Sequence, residues 1–426
     1  MFHFRSVRSP KHVRTTLLAL ALIAGAWLAP RVVRAQDTPP PPPPPPEESD
    51  PSGTPPLTTP MAPPAPGTPL PPSPSGGTTG GGGGRYLLLP DISLNGIFLG
   101  HLANDHRDSL RDRFRLDQAE LAVQSYVYPQ VKLDSFIVFA GEGGVSVEEG
   151  YLTFQNVSVA RLPMSAVVGR RKVSFGRVNQ LHPHSWLYTV QPAVLSSLVS
   201  GESLTGDGAY LSYLLPTGSL FAQLDLGLWS QSEQTEEITV PNDPTSQIIL
   251  SPGAGFADKF GTARLLLARE ALGGSLEFGA SVAGGRGAQY SLANGGPTER
   301  PNILLLGLDL TYRRAGTGAS RLLLRGEYLQ HHQKDGGFRR TVDGYYLFAD
   351  QRIDAFRSIG LRYDSTRFPY AEGHQRDISL IGTQQLTEAT LYRIQLIHGD
   401  RPDKHGFDEI HLELIFGVGP HTHNLE

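Results

Sequence analysis

Arg170, Arg171, Lys172 and Arg177 form the densest basic cluster in the chain, and His182-Pro-His184 follows a few residues later. A ring of such basic groups favours anions electrostatically. Strand alternation, however, sends Arg170 and Lys172 one way and Arg171 the other, so not all can share one face. The simpler role is neutralising Glu148 and Glu149 or binding lipid phosphates. Neutral imidazoles suit zinc, copper and nickel. His182 and His184 are therefore candidate metal ligands, as are His421 and His423 in a second His-X-His pair. Scattered loop histidines such as His101, His106, His331, His332, His374, His398 and His405 are more simply polar surface. Hydrolytic chemistry would need a nucleophile–base pair. His182, Ser185 and Asp207 could in principle converge, but no Gly-x-Ser-x-Gly elbow or His-Glu-x-x-His motif is present. We therefore read the chain as non-enzymatic and as calling for no cofactor.

What must position these groups is a set of alternating segments. In Asn302–Tyr312, Leu304, Leu306, Leu308 and Leu310 take one face and Gly307, Asp309 and Thr311 the other. In Arg321–Gln330, Leu322, Leu324 and Tyr328 oppose Arg321, Arg325 and Glu327. Glu409–Val418 sets Ile410, Leu412, Leu414, Phe416 and Val418 against His411, Glu413 and Gly417. Period two assigns each set to one side of a sheet. No window after Tyr86 is long and apolar enough for a membrane helix.

About sixteen such segments run from residue 91 to 418, sixteen give or take two. Tight turns at Pro129-Gln130, Pro216–Gly218, Glu270–Gly273, Ala315–Ala319 and Thr387-Glu388 alternate with long loops at Ser174–Gly206, Gln231–Lys259 and Gly287–Pro301. That rhythm predicts an all-β fold, a transmembrane antiparallel outer-membrane β-barrel. One pair breaks it: Gly141–Gly144 is short where a loop is expected, and Asn156–Met164 is long where a turn is expected. A barrel must close, because in hydrocarbon every backbone amide needs a partner and an open edge has none. Tyr126, Tyr128, Trp229, Tyr312, Tyr328 and Tyr392 are expected at the membrane interfaces.

The opposite face carries charges of both signs, which suit a wet lumen better than a dry core. The expected lining or constriction residues are Arg170, Lys172, Arg177, Glu120, Asp134, Arg264, Arg321, Arg325, Glu327, Arg362, Arg393 and Glu413. The loop Ser174–Gly206 is unusual in keeping Leu181, Trp186, Leu187, Val190, Val194, Leu195 and Leu198. Covering them requires packing on the barrel wall or folding into its mouth.

The chain divides into three. Residues 1–35 hold six basic residues and no acidic one, an apolar run from Leu17 to Ala29, and Val33-Arg34-Ala35, the pattern of a cleaved secretory signal peptide. Residues 36–84, with the run Pro39–Pro46 and then Gly80–Gly84, form a Pro/Gly-rich disordered linker. Residues 85–426 are the expected barrel. With the six signal-peptide charges removed, 41 acidic residues face 31 basic ones, a formal charge of −10. So acidic a chain offers no basic face to nucleic acid. There is no cysteine, so disulfides contribute nothing to the fold.

Gly169–Trp186, reading GRRKVSFGRVNQLHPHSW, resembles the strand and following loop of porin-like outer-membrane barrels related in style to phosphate-selective porins. Gln191-Pro192, Gly206-Asp207-Gly208 and Phe416–His421 extend the resemblance weakly. It implies passive diffusion of small hydrophilic solutes or ions across the cell outer membrane, with the loop 174–206 folded inward to narrow the path. The expected partners are outer-membrane lipid and those solutes. A homo-oligomer is compatible with the sequence, although no strand face proclaims an interface. The competing reading is a zinc- or copper-capturing uptake barrel using loop histidines, and an outer-membrane enzyme comes third.

Overall fold

The computed structural model describes residues 89–420, apart from residues 107, 109, 201–202, 232–237, 241–254, 288–289, 293–299, 336–337, 370–372 and 388. The expected signal peptide, the Pro/Gly-rich segment and the pair His421-Thr-His423 lie outside the described residues.

Sixteen antiparallel strands close into one barrel. They are β1 (Asp91–Ala103), β2 (Arg113–Tyr128), β3 (Val131–Ala140), β4 (Val145–Val159), β5 (Leu162–Lys172), β6 (Thr205–Leu214), β7 (Phe221–Ser230) and β8 (Phe256–Ala271). The second half comprises β9 (Gly274–Gly287), β10 (Asn302–Ala315), β11 (Arg321–Asp335), β12 (Phe338–Arg352), β13 (Arg357–Thr366), β14 (Gln375–Thr387), β15 (Thr390–Asp400) and β16 (Gly406–Val418). Each pairs with its neighbours in sequence, and β1 pairs with β16 from Leu94↔Val418 to Ala103↔Glu409, so no edge is left. Two three-residue strands in the long connections, Ile238–Val240 and Tyr290–Leu292, pair in parallel as a separate sheet.

The alternation sorts side chains as the membrane demands. Leu304, Leu306, Leu308 and Leu310 of β10 are exposed, while Ile303, Leu305, Asp309 and Thr311 between them are buried. Leu324, Leu347, Leu361, Ile378, Leu380, Leu414 and Phe416 continue the exposed apolar surface around β11–β16. Moving one such side chain from water into hydrocarbon is worth roughly 1.5–3 kcal/mol. A belt of them is the lipid-facing surface of an outer-membrane barrel.

Three details differ from the sequence reading. Asn156–Met164 is not a long loop: β4 and β5 run on through Val157↔Met164 and Val159↔Leu162. They meet at the tight turn Ala160-Arg161, where both residues take positive φ (51° and 69°). That geometry fits the twist of a hairpin, although glycine or asparagine usually supplies it. β11 likewise runs on past Gln330, the end of its alternating segment, until Asp335 pairs with Phe338 of β12. Trp229 faces inward, not toward lipid, and its indole Nε1 donates to Thr262 Oγ1 at 2.9 Å.

The inside of the barrel is also less wet than mixed charges suggested. Ile303, Leu305, Leu323, Leu329, Val342, Tyr346, Phe348 and Ile381 are inward-facing and buried. They form one apolar cluster with Val173–Leu204, the connection between β5 and β6. The core of this protein lies within the lumen, between that connection and one side of the wall.

Candidate functional site

The connection begins at a tied neck. Val173 donates its N–H to Leu204 O at 2.8 Å. Asn179 Nδ2 donates to Val173 O and Leu204 O at 2.9 and 3.1 Å, and its Oδ1 accepts the Leu204 N–H. Beyond the neck the chain makes short turns at Val178–Gln180 and Pro183–Ser185, then a helical segment from Ala193 to Ser200. These elements are too short to stand alone. Val178, Tyr188, Val194, Leu195, Leu198 and Val199 hold them by burial against the inner wall.

Polar groups of the wall grip the backbone of this connection from several directions. Glu327 on β11 accepts the N–H groups of Arg177 and Val178 at 3.2 and 2.9 Å, and the Tyr346 hydroxyl at 3.0 Å. Gln395 Oε1 on β15 accepts Thr189 N–H and Oγ1–H at 2.8 and 2.9 Å. Asp364 on β13 accepts the Ala193 N–H at 3.1 Å. Arg393 Nη1 donates to Tyr188 O at 3.3 Å, and Arg362 donates to Val190 O. A segment leaving β5 thus crosses to β13–β15 and returns to β6.

The expected lining residues fall into two groups. Several are neutralised in the wall: Arg264 forms a bidentate pair with Asp309 at 2.6 and 3.0 Å, Arg393 meets Glu413 at 2.5 Å, and Asp134 meets Lys132 at 2.7 Å. Arg362 bonds Asp364 at 2.6 Å and lies over the Tyr188 ring at 4.7 Å. Buried charges are tolerated only when matched in this way. Arg325 Nε points at Thr311 Oγ1 at 3.4 Å, and Arg321 sits partly buried at the start of β11.

The basic cluster is split. Arg170, 42% exposed at its side chain, pairs with Asp207 at 2.7 Å on the face opposite Arg171. Arg171 packs over the Tyr151 and Tyr210 rings and donates to the Tyr210 hydroxyl. Lys172 is buried, 2.8 Å from Glu148, and donates to Leu181 O at 3.2 Å. Arg177 lies 4.0 Å from Glu277, which also takes Arg313 at 2.6 Å. The four cations do not form a ring, and Arg170, Lys172 and Arg177 each face a carboxylate.

His182 anchors the connection instead of presenting a free ligand. Its Nδ1 lies 2.7 Å from Glu120 and 3.1 Å from Glu148, with Nε2 3.8 Å from Glu149. Glu148 reaches it because a bulge between Phe136 and Ile137 in the β3–β4 register turns both Glu148 and Glu149 toward the interior. Burial and the Lys172 ammonium oppose protonation of His182, yet its bonds to Glu120 and Glu148 prevail and hold its pKa up at about 9. His184 stacks near it at 5.7 Å, with Nδ1 3.9 Å from Glu120. Among the described residues two groups bring His and carboxylate ligand atoms together, Glu120–Glu148–His182 and His101–Glu409–His411. His184 belongs to neither.

On the side away from the apolar cluster the connection leaves a cavity of about 560 Å³ against β1, β2 and β16. Trp186, Thr189 and Gln191 form its inner side, and His101, Asp117 and Glu413 line the wall. Five carboxylates (Asp105, Asp108, Asp117, Glu409 and Glu413) and two guanidiniums (Arg115 and Arg401) surround it. Sequence reasoning missed this pocket, along with Asn179, Gln395 and Asp364. Only the apolar content of the connection signalled that it had to be covered.

No family model matches the chain. An uncharacterized protein of Aquifex aeolicus is 27% identical over 262 residues, which is 58% of this chain; the chain spans about half (51%) of that curated relative. Among solved structures, a loop L8 deletion mutant of OmpT, an outer membrane protein of Vibrio cholerae, matches with a TM-score of 0.52 at 10% identity, covering 78% of this chain and 99% of that one. The anion-selective porin from Comamonas acidovorans gives 0.51 at 13% identity, over 78% and 100%. A trimer form of Vibrio cholerae OmpT gives 0.50 at 8%, over 78% and 99%. At such identities the likeness is one of fold, and that fold is the porin-like outer-membrane β-barrel.

Proposed function

We propose that the protein is a passive-diffusion channel for small hydrophilic solutes or ions, narrowed by the connection 174–206. The observation that carries this reading is the in-folded connection, which fills one side of the lumen and leaves the polar cavity along β1, β2 and β16. A segment held by Glu327, Gln395, Asp364 and Arg393 is a fixed constriction, not a solvated loop. With Glu413 neutralised by Arg393, the remaining four carboxylates still outnumber the two guanidiniums, which favours cations, the opposite of what a basic ring would do. A homo-oligomer is compatible with this reading, the trimer form of OmpT being an example of the same fold. Planar-bilayer recording of the refolded protein in the presence of a chelator is the test. Steady unitary steps are expected; silence from properly folded protein would make the connection a seal and the channel reading wrong.

A further inference from the structure

We infer that His101, His411 and Glu409, with Asp108, form a binding site for one borderline-soft divalent metal ion such as zinc, set in the wall of the cavity where the barrel closes. His101 and His411 are direct partners across the β1–β16 seam, and their rings stack at 4.2 Å with 20° between planes. Glu409 Oε2 lies 3.0 Å from His411 Nε2 and 3.8 Å from His101 Nε2, and Asp108 Oδ2 lies 3.3 Å from His101 Nε2. With Zn–N and Zn–O bonds of about 2.0–2.2 Å, the edges of a tetrahedral coordination shell are about 3.4 Å. The three separations bracket that value. Two imidazoles and two carboxylates are a donor set suited to zinc and its neighbours.

The surroundings are built like the outer support of a metal site. Each carboxylate has one oxygen held by protein, while the other faces both histidines in Glu409 and His101 Nε2 in Asp108. Glu409 Oε1 accepts from Arg401 Nη2 at 3.1 Å, and Asp108 Oδ1 accepts the Leu110 N–H at 2.8 Å. Such outer bonds orient ligands. The nearby guanidiniums are already committed: Arg115 to Asp117 at 2.8 Å, and Arg401 to Asp105 at 3.2 Å as well as to Glu409. His101 is buried to 8% exposure, and its Nε2 makes no hydrogen bond of good geometry, the Asp108 contact notwithstanding. The cavity supplies an entry path.

The other histidine–carboxylate group is a poorer host. There a single nitrogen, His182 Nδ1, already bonds both Glu120 and Glu148, and the Lys172 ammonium sits 2.8 Å from Glu148. A metal there would have to displace two bonds to one nitrogen, whereas at the seam it displaces only the His411–Glu409 bond and meets His101 Nε2 free of a hydrogen bond.

The experiment is a titration of the refolded full chain, without a histidine tag, by Co²⁺ alone, followed by visible absorption and calorimetry. One equivalent should bind in the micromolar range or tighter, with d–d bands of a low-symmetry site, and Zn²⁺ should displace it. Glu409→Gln and His101→Asn should each weaken binding at least tenfold, and His182→Gln should leave it within twofold. Heat-modifiable migration confirms that each variant is folded, and two variants on different strands guard against the failure of one. The inference is overturned by weak binding of several equivalents, by Glu409→Gln and His101→Asn both binding as wild type, or by loss in His182→Gln alone. Because the readout is binding in detergent, it stands or falls independently of any channel activity.

Discussion

Val178 donates its backbone N–H to Glu327 at 2.9 Å across 149 residues of sequence, tying the start of the in-folded connection to β11 on the opposite wall. Glu327→Ala strands that N–H, the Arg177 N–H and the Tyr346 hydroxyl, at a cost of roughly 1–3 kcal/mol for each group left buried. The barrel should still assemble. The connection should become noisier in single-channel records and be cleaved at least tenfold faster by protease than in wild type. Cleavage at the wild-type rate would show that Glu327 does not hold it.

Deleting Gln180–Ser200 removes most of the apolar cluster's inner half. Sixteen-stranded barrels are wide enough for an aqueous channel once unplugged. Conductance should rise several-fold in protein that stays heat-modifiable on gels. An unchanged conductance would refute the constriction.

The anchor at His182 is sensitive to alkali. Its pKa of about 9 in the folded protein exceeds the ordinary 6.5, so the protonated ring binds Glu120 and Glu148 more favourably than it is solvated when released. That contribution is complete below pH 6.5 and is lost as pH rises through about 9. Protease cleavage of the connection should therefore accelerate between pH 7 and pH 9.5. His182→Gln should cleave fast throughout and lose the pH dependence. A flat wild-type profile would contradict the assignment.

Ion selectivity should follow the cavity and not the basic cluster. Reversal potentials in a KCl gradient should favour K⁺, and Asp117→Asn should reduce that preference, as its carboxylate lines the cavity. Arg170→Ala should change selectivity by less than the scatter between recordings, because Arg170 pairs with Asp207 on the other face of its strand. A chloride-selective wild type, or a shift in R170A, would place the filter at the basic cluster.

The wall was easier to read from the sequence than its contents. β10, β11 and β16 announce themselves by alternation, and the turn rhythm gives the strand number. Ala160-Arg161 was illegible as a turn because neither residue is a usual left-handed type. Ile303 and Leu305 were hidden within the unbroken run Ile303–Leu306, in which both faces are apolar and period two leaves no trace. The apolar residues of the connection did show that it needs cover. What receives it did not show, since Thr189 and Gln395 stand 206 residues apart and nothing local marks either one. His101 looked like rim scatter and His411 like one polar residue of the last strand until the closing register set them side by side.

The seam between β1 and β16 also sets the order of events as the barrel is made. His182 meets Glu120 and Glu148 on early strands, but the holds on the rest of the connection, from Glu327, Asp364, Arg393 and Gln395, come from strands later in the chain, so the plug cannot settle fully while only the first six strands exist. Such long-range closures are slow, since the intervening chain must be ordered before they reward it. Until then Leu195, Leu198 and their neighbours have no shelter, and a half-built sheet carrying them is at its most prone to aggregation. Arrival of the last strand therefore does two jobs in one step: it removes the final open edge, and it shuts the connection inside.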